Sequence, residues 1–345
     1  MNTQLQLPFR GWSRAEESSK HGSGGGKTPR IGLVLSSGGA RGLAHVGVIQ
    51  VLEKEGIAIA ALAGCSMGAY VGSLWAAGLS GAQLEERARE IKDRPTLKAL
   101  MDFIIPPSEG LIRGEKLRKH LERDLGEKTF ADLQKPLLVI ATDLDRLTPY
   151  VFDSGIVSHA VHASSAIPAV CAPVRLNGRR YTDGGVSEPL PVKLLKKRFN
   201  LDGIIAVNVM PAPEEFESNS DHTFMQADKP ADRAFSRIFR TFWQKVNLLA
   251  NGNVLDTFRR ALMAAQLHLI KKEEAAADVV IHPHFATSTW HDYENFEQYL
   301  QAGRDAATAA LPAIRDLLQI QPNLNQETIS HEISPSHTRM ELHAA

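Results

Sequence analysis

The sequence predicts a three-layer α/β/α fold with a mostly parallel central sheet. Three observations carry that expectation. Short apolar, partly β-branched runs alternate with longer helical patterns, glycine-marked turns follow the ends of several strands, and one helix is apolar on every side. At 345 residues the chain can bury a large core.

The elements follow in order. Residues 1–28 are polar, end near Ser23-Gly24-Gly25-Gly26 and are expected to form a disordered tail. Ile31-Gly32-Leu33-Val34-Leu35 is a buried strand, followed by a glycine-rich turn and a helix from about Leu43 to Glu55. A second apolar run, Ile57 to Ala63, leads into Gly64-Cys65-Ser66-Met67-Gly68. The segment Met67 to Ala77 is small and apolar all round, as a helix in the middle of a domain is, and Gly78 stands where a helix C-terminal glycine is expected. Residues 81–93 and 111–124 read as amphipathic surface helices, with a loop from Ile105 to Gly110 between them. Pro136 to Thr142 is a third strand, Pro149 to Phe152 a fourth, and residues 156–166 a helix. Asn177-Gly178 joins Val174–Leu176 to Arg179–Thr182 as a hairpin with a two-residue turn. Later strands are Gly203 to Val209 and Ala277 to Ile281, with a long helical region over about 231–273 between them. A helix over 295–317 closes the fold, and residues 321–345 read as a flexible tail.

Composition excludes several classes. Lysine plus arginine (39) equals aspartate plus glutamate (39), so no charge bias points to nucleic acid. Two cysteines make no disulfide framework and fit a reducing compartment. No apolar run approaches the roughly 20 residues that span a bilayer, and the first 28 residues lack the apolar core of a secretory signal. A cytoplasmic location is expected. Nothing in the chain encodes an oligomeric state.

Three glycine-marked segments fall at predicted strand ends. In Ser37-Gly38-Gly39-Ala40-Arg41-Gly42, backbone N–H groups stand free at a helix start, which suits an anion or a developing oxyanion. A phosphate-binding P-loop would need a lysine after Gly42, where Leu43 stands. A dinucleotide site would need a first glycine in place of Ser37 and an acid after the next strand. In the second segment, Ser66 between Gly64 and Gly68 sits on a strand-to-helix turn that exposes its hydroxyl. The motif is short enough to arise by chance, so its companions matter. The third segment is Asp183-Gly184-Gly185, a carboxylate followed by two glycines that allow close backbone approach.

The order G-G-x-R-G, G-x-S-x-G, D-G-G resembles the patatin-like phospholipase family, in particular its bacterial stand-alone members. Supporting segments are Arg41 to Val48, Ala163-Ser164-Ser165-Ala166-Ile167-Pro168 and Pro189-Leu190-Pro191-Val192, and the likeness covers roughly residues 31–210. The family's pattern often has a third glycine where this chain has Ser37. The resemblance implies a hydrolase domain over 29–320 that cleaves lipid-like carboxylic esters by a serine–aspartate dyad. Ser66 is then the nucleophile, Asp183 the base, and the N–H groups of Gly38, Gly39, Ala40 and Arg41 the oxyanion hole, with Gly42, Gly64, Gly68, Gly184 and Gly185 as supporting positions. Arg41 either anchors the loop or attracts a lipid phosphate. No metal and no organic cofactor is required.

Two other readings stay open. A Ser–His–Asp triad in the chain order Ser, acid, His would draw on His282 or His284, and a non-catalytic lipid-binding protein would keep the same fold. His159 and His162 share a helix face, but no third metal ligand suggests itself. Phe235, Phe239, Phe242, Val246 and Leu249 recur at helical spacing over 234–250 among Arg233, Arg237, Arg240 and Lys245. That pattern fits a helix covering the sheet or gating the pocket, or one lying on anionic lipid as a peripheral membrane contact.

Overall fold

The computed structural model describes residues 28–92, 94–104, 109–211, 254–285 and 291–319. Its strands are β1 (Ile31–Leu35), β2 (Ile59–Cys65), β3 (Leu137–Asp143), β4 (Thr148–Phe152), β5 (Val174–Leu176), β6 (Arg179–Asp183), β7 (Gly203–Val207) and β8 (Val279–Ile281). Its helices are α1 (Ala44–Lys54), α2 (Met67–Ala76), α3 (Gly81–Glu90), α4 (Arg94–Leu100), α5 (Glu115–Leu125), α6 (Val157–Ser164), α7 (Val192–Arg198), α8 (Val254–Glu274) and α9 (Phe296–Gln319).

The strands form one sheet. Five of them, β3-β2-β1-β7-β8, are parallel neighbours, and β4, β5 and β6 extend the β3 end with antiparallel pairings. Alternating residues feed two cores. Ile31, Leu33 and Leu35 face the cluster beneath α1, α2, α3 and α9, while Val34 faces the cluster shared with α7 and α8. The same alternation runs through β7, where Ile205 and Val207 face one way and Ile204 and Ala206 the other. A central strand buried on both faces must be apolar throughout, which is why β1 carries no polar side chain. The three-layer expectation therefore holds, with an antiparallel end on an otherwise parallel sheet.

The antiparallel end sets up the site. Along one edge of β3, residues Leu137–Ile140 pair with Leu62–Cys65 of β2, and the next three, Ala141–Asp143, pair with Asp183–Tyr181 of β6. β4 pairs with Val139–Asp143 and so must occupy the opposite edge. Strand β2 runs up the shared edge and β6 runs down it. Their C-terminal ends meet head to head at the Ile140/Ala141 step.

Some sequence expectations shift. β2 starts at Ile59 and reaches Cys65, so the serine lies directly at its end. The amphipathic pattern over 111–124 begins its helix only at Glu115, after Ile112 has bridged to Phe103 and Cys171. Helices α4 and α7 were not expected. Each has only seven residues, too short for periodicity to register, and a proline stands in the first turn of one and just before the other. The 234–250 segment, residues 1–27 of the N-terminal tail and the tail over 321–345 lie outside the described residues, and of the helical region over 231–273 only α8 is described. No described helix is long and apolar enough to cross a membrane.

The last helix is locked onto the first. A Cβ on Gly47 of α1 would stand 2.0 Å from the Leu300 carbonyl oxygen, and one on Gly303 of α9 would stand 2.0 Å from that of Ala44. Paired glycines let the two helix backbones touch.

Candidate active site

Ser66 is the single residue between β2 and α2, and its backbone adopts φ 52°, ψ −119°. A positive φ at a non-glycine residue stores about 1–3 kcal/mol of strain, which the surrounding packing must hold. Two contacts do so. A Cβ at Gly68 would fall 2.3 Å from the Leu35 carbonyl oxygen, so the first turn of α2 lies flush on the end of β1. The Ser66 N–H donates to Ser164 Oγ at 2.8 Å, and that hydroxyl donates to the Ile140 carbonyl at 2.5 Å. Ser164 thus ties the turn to β3.

The head-to-head strand ends bring Asp183 to the serine. Ser66 Oγ donates to Asp183 Oδ2 at 2.6 Å. The other carboxylate oxygen, Oδ1, accepts the Gly185 N–H at 2.7 Å. The Asp183 N–H donates to Ala166 O at 2.9 Å, and Thr142 Oγ1 donates to the Asp183 carbonyl at 2.9 Å. Both side chains are nearly enclosed, at 6% exposure each. Burial pushes the Asp183 carboxyl up to about 6, against the pull of the hydrogen bonds from Ser66 and Gly185. Gly184 has no room for a side chain, since its Cβ would stand 2.2 Å from the Ile140 carbonyl oxygen. Cys65 is fully buried, with Sγ 4.0 Å from Asp183 Oδ1, and burial raises its thiol well above the usual range. It is not a reactive thiolate.

The glycine-rich segment leaves β1 and winds into a 3-10 turn over Gly39–Leu43, with Gly38 at its start. In such a turn the first N–H groups precede the internal hydrogen bonds, and Gly38, Gly39, Ala40 and Arg41 stand at that opening. Flanking amides are already committed. The Ser37 N–H donates to Pro189 O at 2.9 Å, and that of Ser66 is spent on Ser164. Gly42 packs on Met67, the residue after the serine. Arg41 is buried.

His45, His162 and His282 each bond a backbone carbonyl away from this pair. His45 Nε2 donates to the Ser36 carbonyl at 3.0 Å, bracing the glycine loop, and burial holds its imidazole down at about 4. His282 donates to Met210 O at 2.8 Å and stacks near His284 just past β8, at the far end of the sheet. With β7 and β1 between β8 and β2, that is roughly 14 Å from the serine at ordinary strand spacing. The structure does not bring His282 or His284 to the Ser66–Asp183 pair. His162 donates to the Arg113 carbonyl and His159 faces Arg118. Among the described residues no group of three His, Cys, Asp or Glu side chains is placed to hold a metal.

Two residues at the site carry no sequence signal of their role. Ser164 lies inside one of the supporting segments, where nothing distinguished it from Ser165. Gln266 of α8 donates from Nε2 to the Gly185 carbonyl at 3.0 Å and comes from a region without any motif.

Residues 33–196 match the family model described as patatin-like phospholipase. An uncharacterized NTE family protein of Mycobacterium tuberculosis is 40% identical over 187 residues, covering 54% of this chain and 50% of its own length. The lysophospholipase NTE1 of Debaryomyces hansenii is 30% identical over 181 residues, covering 52% of this chain and 12% of its own. The human patatin-like phospholipase domain-containing protein 6 is 30% identical over 185 residues, covering 52% and 13%. The chain therefore spans half or less of the length of these relatives.

Proposed function

Since residues 33–196 belong to the patatin-like phospholipase family, we propose that this protein is a lipid acyl hydrolase of the phospholipase A or lysophospholipase type, acting through Ser66 and Asp183. The observation that carries the reading is the 2.6 Å hydrogen bond from Ser66 Oγ to a buried carboxylate, with the serine on a strained turn. An aspartate of ordinary pKa near 4 is a weak base. Burial that lifts Asp183 to about 6 brings it close to the working range of a general base.

The steps then follow from the atoms present. Ser66 Oγ attacks the ester carbonyl carbon as its proton passes to Asp183. The oxyanion is held by the N–H groups of Gly38 to Arg41, each such donor being worth about 10²–10³ in rate. Collapse breaks the bond to the leaving alcohol, which takes the proton from Asp183 and leaves an acyl-Ser66 ester. Water, deprotonated by Asp183, then releases the fatty acid and restores the serine. No step calls on a metal or organic cofactor.

The hydrolase unit is taken as 29–320, supported by the seating of α9 on α1. A phospholipid or lysophospholipid ester is the substrate class, in keeping with the lysophospholipase among its relatives. On this reading it acts from the cytoplasm, meeting its lipid at a membrane surface. A fluorophosphonate probe tests the reading: wild type is expected to be labelled and Ser66→Ala not, and fatty acid release from a lipid extract should stop in the same variant. Failure of the folded wild type to react would leave a lipid-binding role instead.

A further inference from the structure

We propose that the Ser37 hydroxyl is a third catalytic group, which holds the water that cleaves the acyl-Ser66 ester; this rests on the hydrolase reading above. Ser37 is 4% exposed, and its Oγ has no hydrogen-bond partner among the described residues. Burying a hydroxyl without a partner forfeits its hydration with nothing in return, so a native fold keeps one only for a reason. The backbone around it is fixed, because the Ser37 N–H donates to Pro189 O and the Ser37 carbonyl accepts the Ser36 hydroxyl at 2.9 Å. The backbone that carries the side chain is thus held at the end of β1.

The hydroxyl and the carboxylate border one spot. Ser37 Oγ and Asp183 Oδ1 lie 3.1 and 3.0 Å from the same point beside Gly185, where a side chain would begin. In the free enzyme the Ser66 hydroxyl occupies Asp183 Oδ2. Once Ser66 is acylated it has no proton to give, and the carboxylate is open to water. A water that gives one hydrogen to Asp183 and the other to Ser37 Oγ keeps a lone pair for the acyl carbon. As the water oxygen bonds to that carbon, its first proton moves to Asp183. The carbon–Oγ bond of Ser66 then breaks, Ser66 takes the proton back, and the fatty acid leaves. Ser37 orients the nucleophile and ends with the proton it began with.

Ser37→Ala removes one oxygen that bonds nothing in the resting protein, so its melting temperature should match or exceed that of wild type. Rapid mixing with p-nitrophenyl butyrate separates the two half-reactions. The expected result is a burst of nitrophenol within about 2-fold of wild type, followed by turnover about 10-fold slower, with the butyryl-Ser66 mass accumulating on the intact protein. Equal deacylation in wild type and variant overturns the proposal. So does an equal fall in both phases with a lowered melting temperature, which would mark a structural role. A wild type that forms no acyl-enzyme overturns the hydrolase reading and this one with it, whereas an active wild type with an unaffected variant removes Ser37 alone.

Discussion

The amide of Gly185 turns back two residues to bond Asp183 Oδ1 at 2.7 Å, leaving Oδ2 to face Ser66. The carboxylate is therefore aimed by its own turn. A methyl on Gly185 would stand 2.8 Å from Gln266 Nε2, 3.0 Å from Asp183 Oδ1 and 3.1 Å from Ser37 Oγ. All three are side-chain ends that can yield, so Gly185→Ala should fold yet mis-aim the base. A loss of about 10–100-fold in kcat is expected, with near-normal melting. Esterase kinetics beside a thermal melt check it.

The pH profile should report Asp183. A base must be ionised to accept the serine proton, so kcat/KM is expected to rise with pH through about 6 as one group titrates. Glu188, nearby in sequence, is pushed up to about 7 by burial and by Glu273. Glu188→Gln should leave the rising limb in place, while Asp183→Asn should cost about 10³-fold or more in rate.

Stability moves the other way. The folded Asp183 carboxyl binds its proton more tightly than the unfolded one, so its ionisation opposes folding as pH rises from about 4 to 6. Asp183→Asn should accordingly stabilise the protein at pH 8 by ~1–3 kcal/mol, with the gain fading below pH 4. Denaturant titrations of both proteins at the two pH values decide it.

His45 works in the opposite sense within the same window. Its imidazole is held down at about 4 by burial, against 6.5 when free. The unfolded chain therefore gains a proton first, and His45 destabilises the fold as pH falls from 6.5 toward 4. His45→Gln should flatten that acid limb of the stability curve. His282→Ala and His284→Ala should keep turnover within about 3-fold of wild type, since neither ring reaches the dyad.

Gly47→Ala and Gly303→Ala test the helix contact. In an exposed helix the change would stabilise by up to about 1 kcal/mol. Here the new methyl would stand 2.0 Å from a carbonyl oxygen of the facing helix. A destabilisation of about 1–3 kcal/mol is expected instead, read as a lowered urea midpoint.

Much of this was legible in the sequence because it is written in local patterns. The β1 run, the glycine pairs and the serine turn each announce a strand end, and three strand ends in order point to one site. The Asn177-Gly178 hairpin was equally plain, and the structure gives both residues positive φ, at 50° and 76°. What the sequence concealed is non-local. Nothing in Ser164 or Gln266 marks them as partners of residues about a hundred positions away, because a lone hydroxyl or amide has no periodicity. The unpartnered state of Ser37 depends on burial from several elements at once. Helix α7 leaves no mark in the sequence because seven residues are too few to show a face.

β3 carries neither Ser66 nor Asp183, yet it works as the ruler of the pair. One strand end is registered against Ile140 and the other against Ala141, so the gap between Ser66 and Asp183 is set by one backbone step of a third strand. The 117 positions that separate Ser66 from Asp183 along the chain do not enter that measurement. Loops and helices between them can be lengthened, exchanged or reshaped while the two side chains keep their spacing. A two-residue slip of β2 or of β6 along β3, away from the junction, would pull Ser66 and Asp183 apart by about 7 Å without changing either residue.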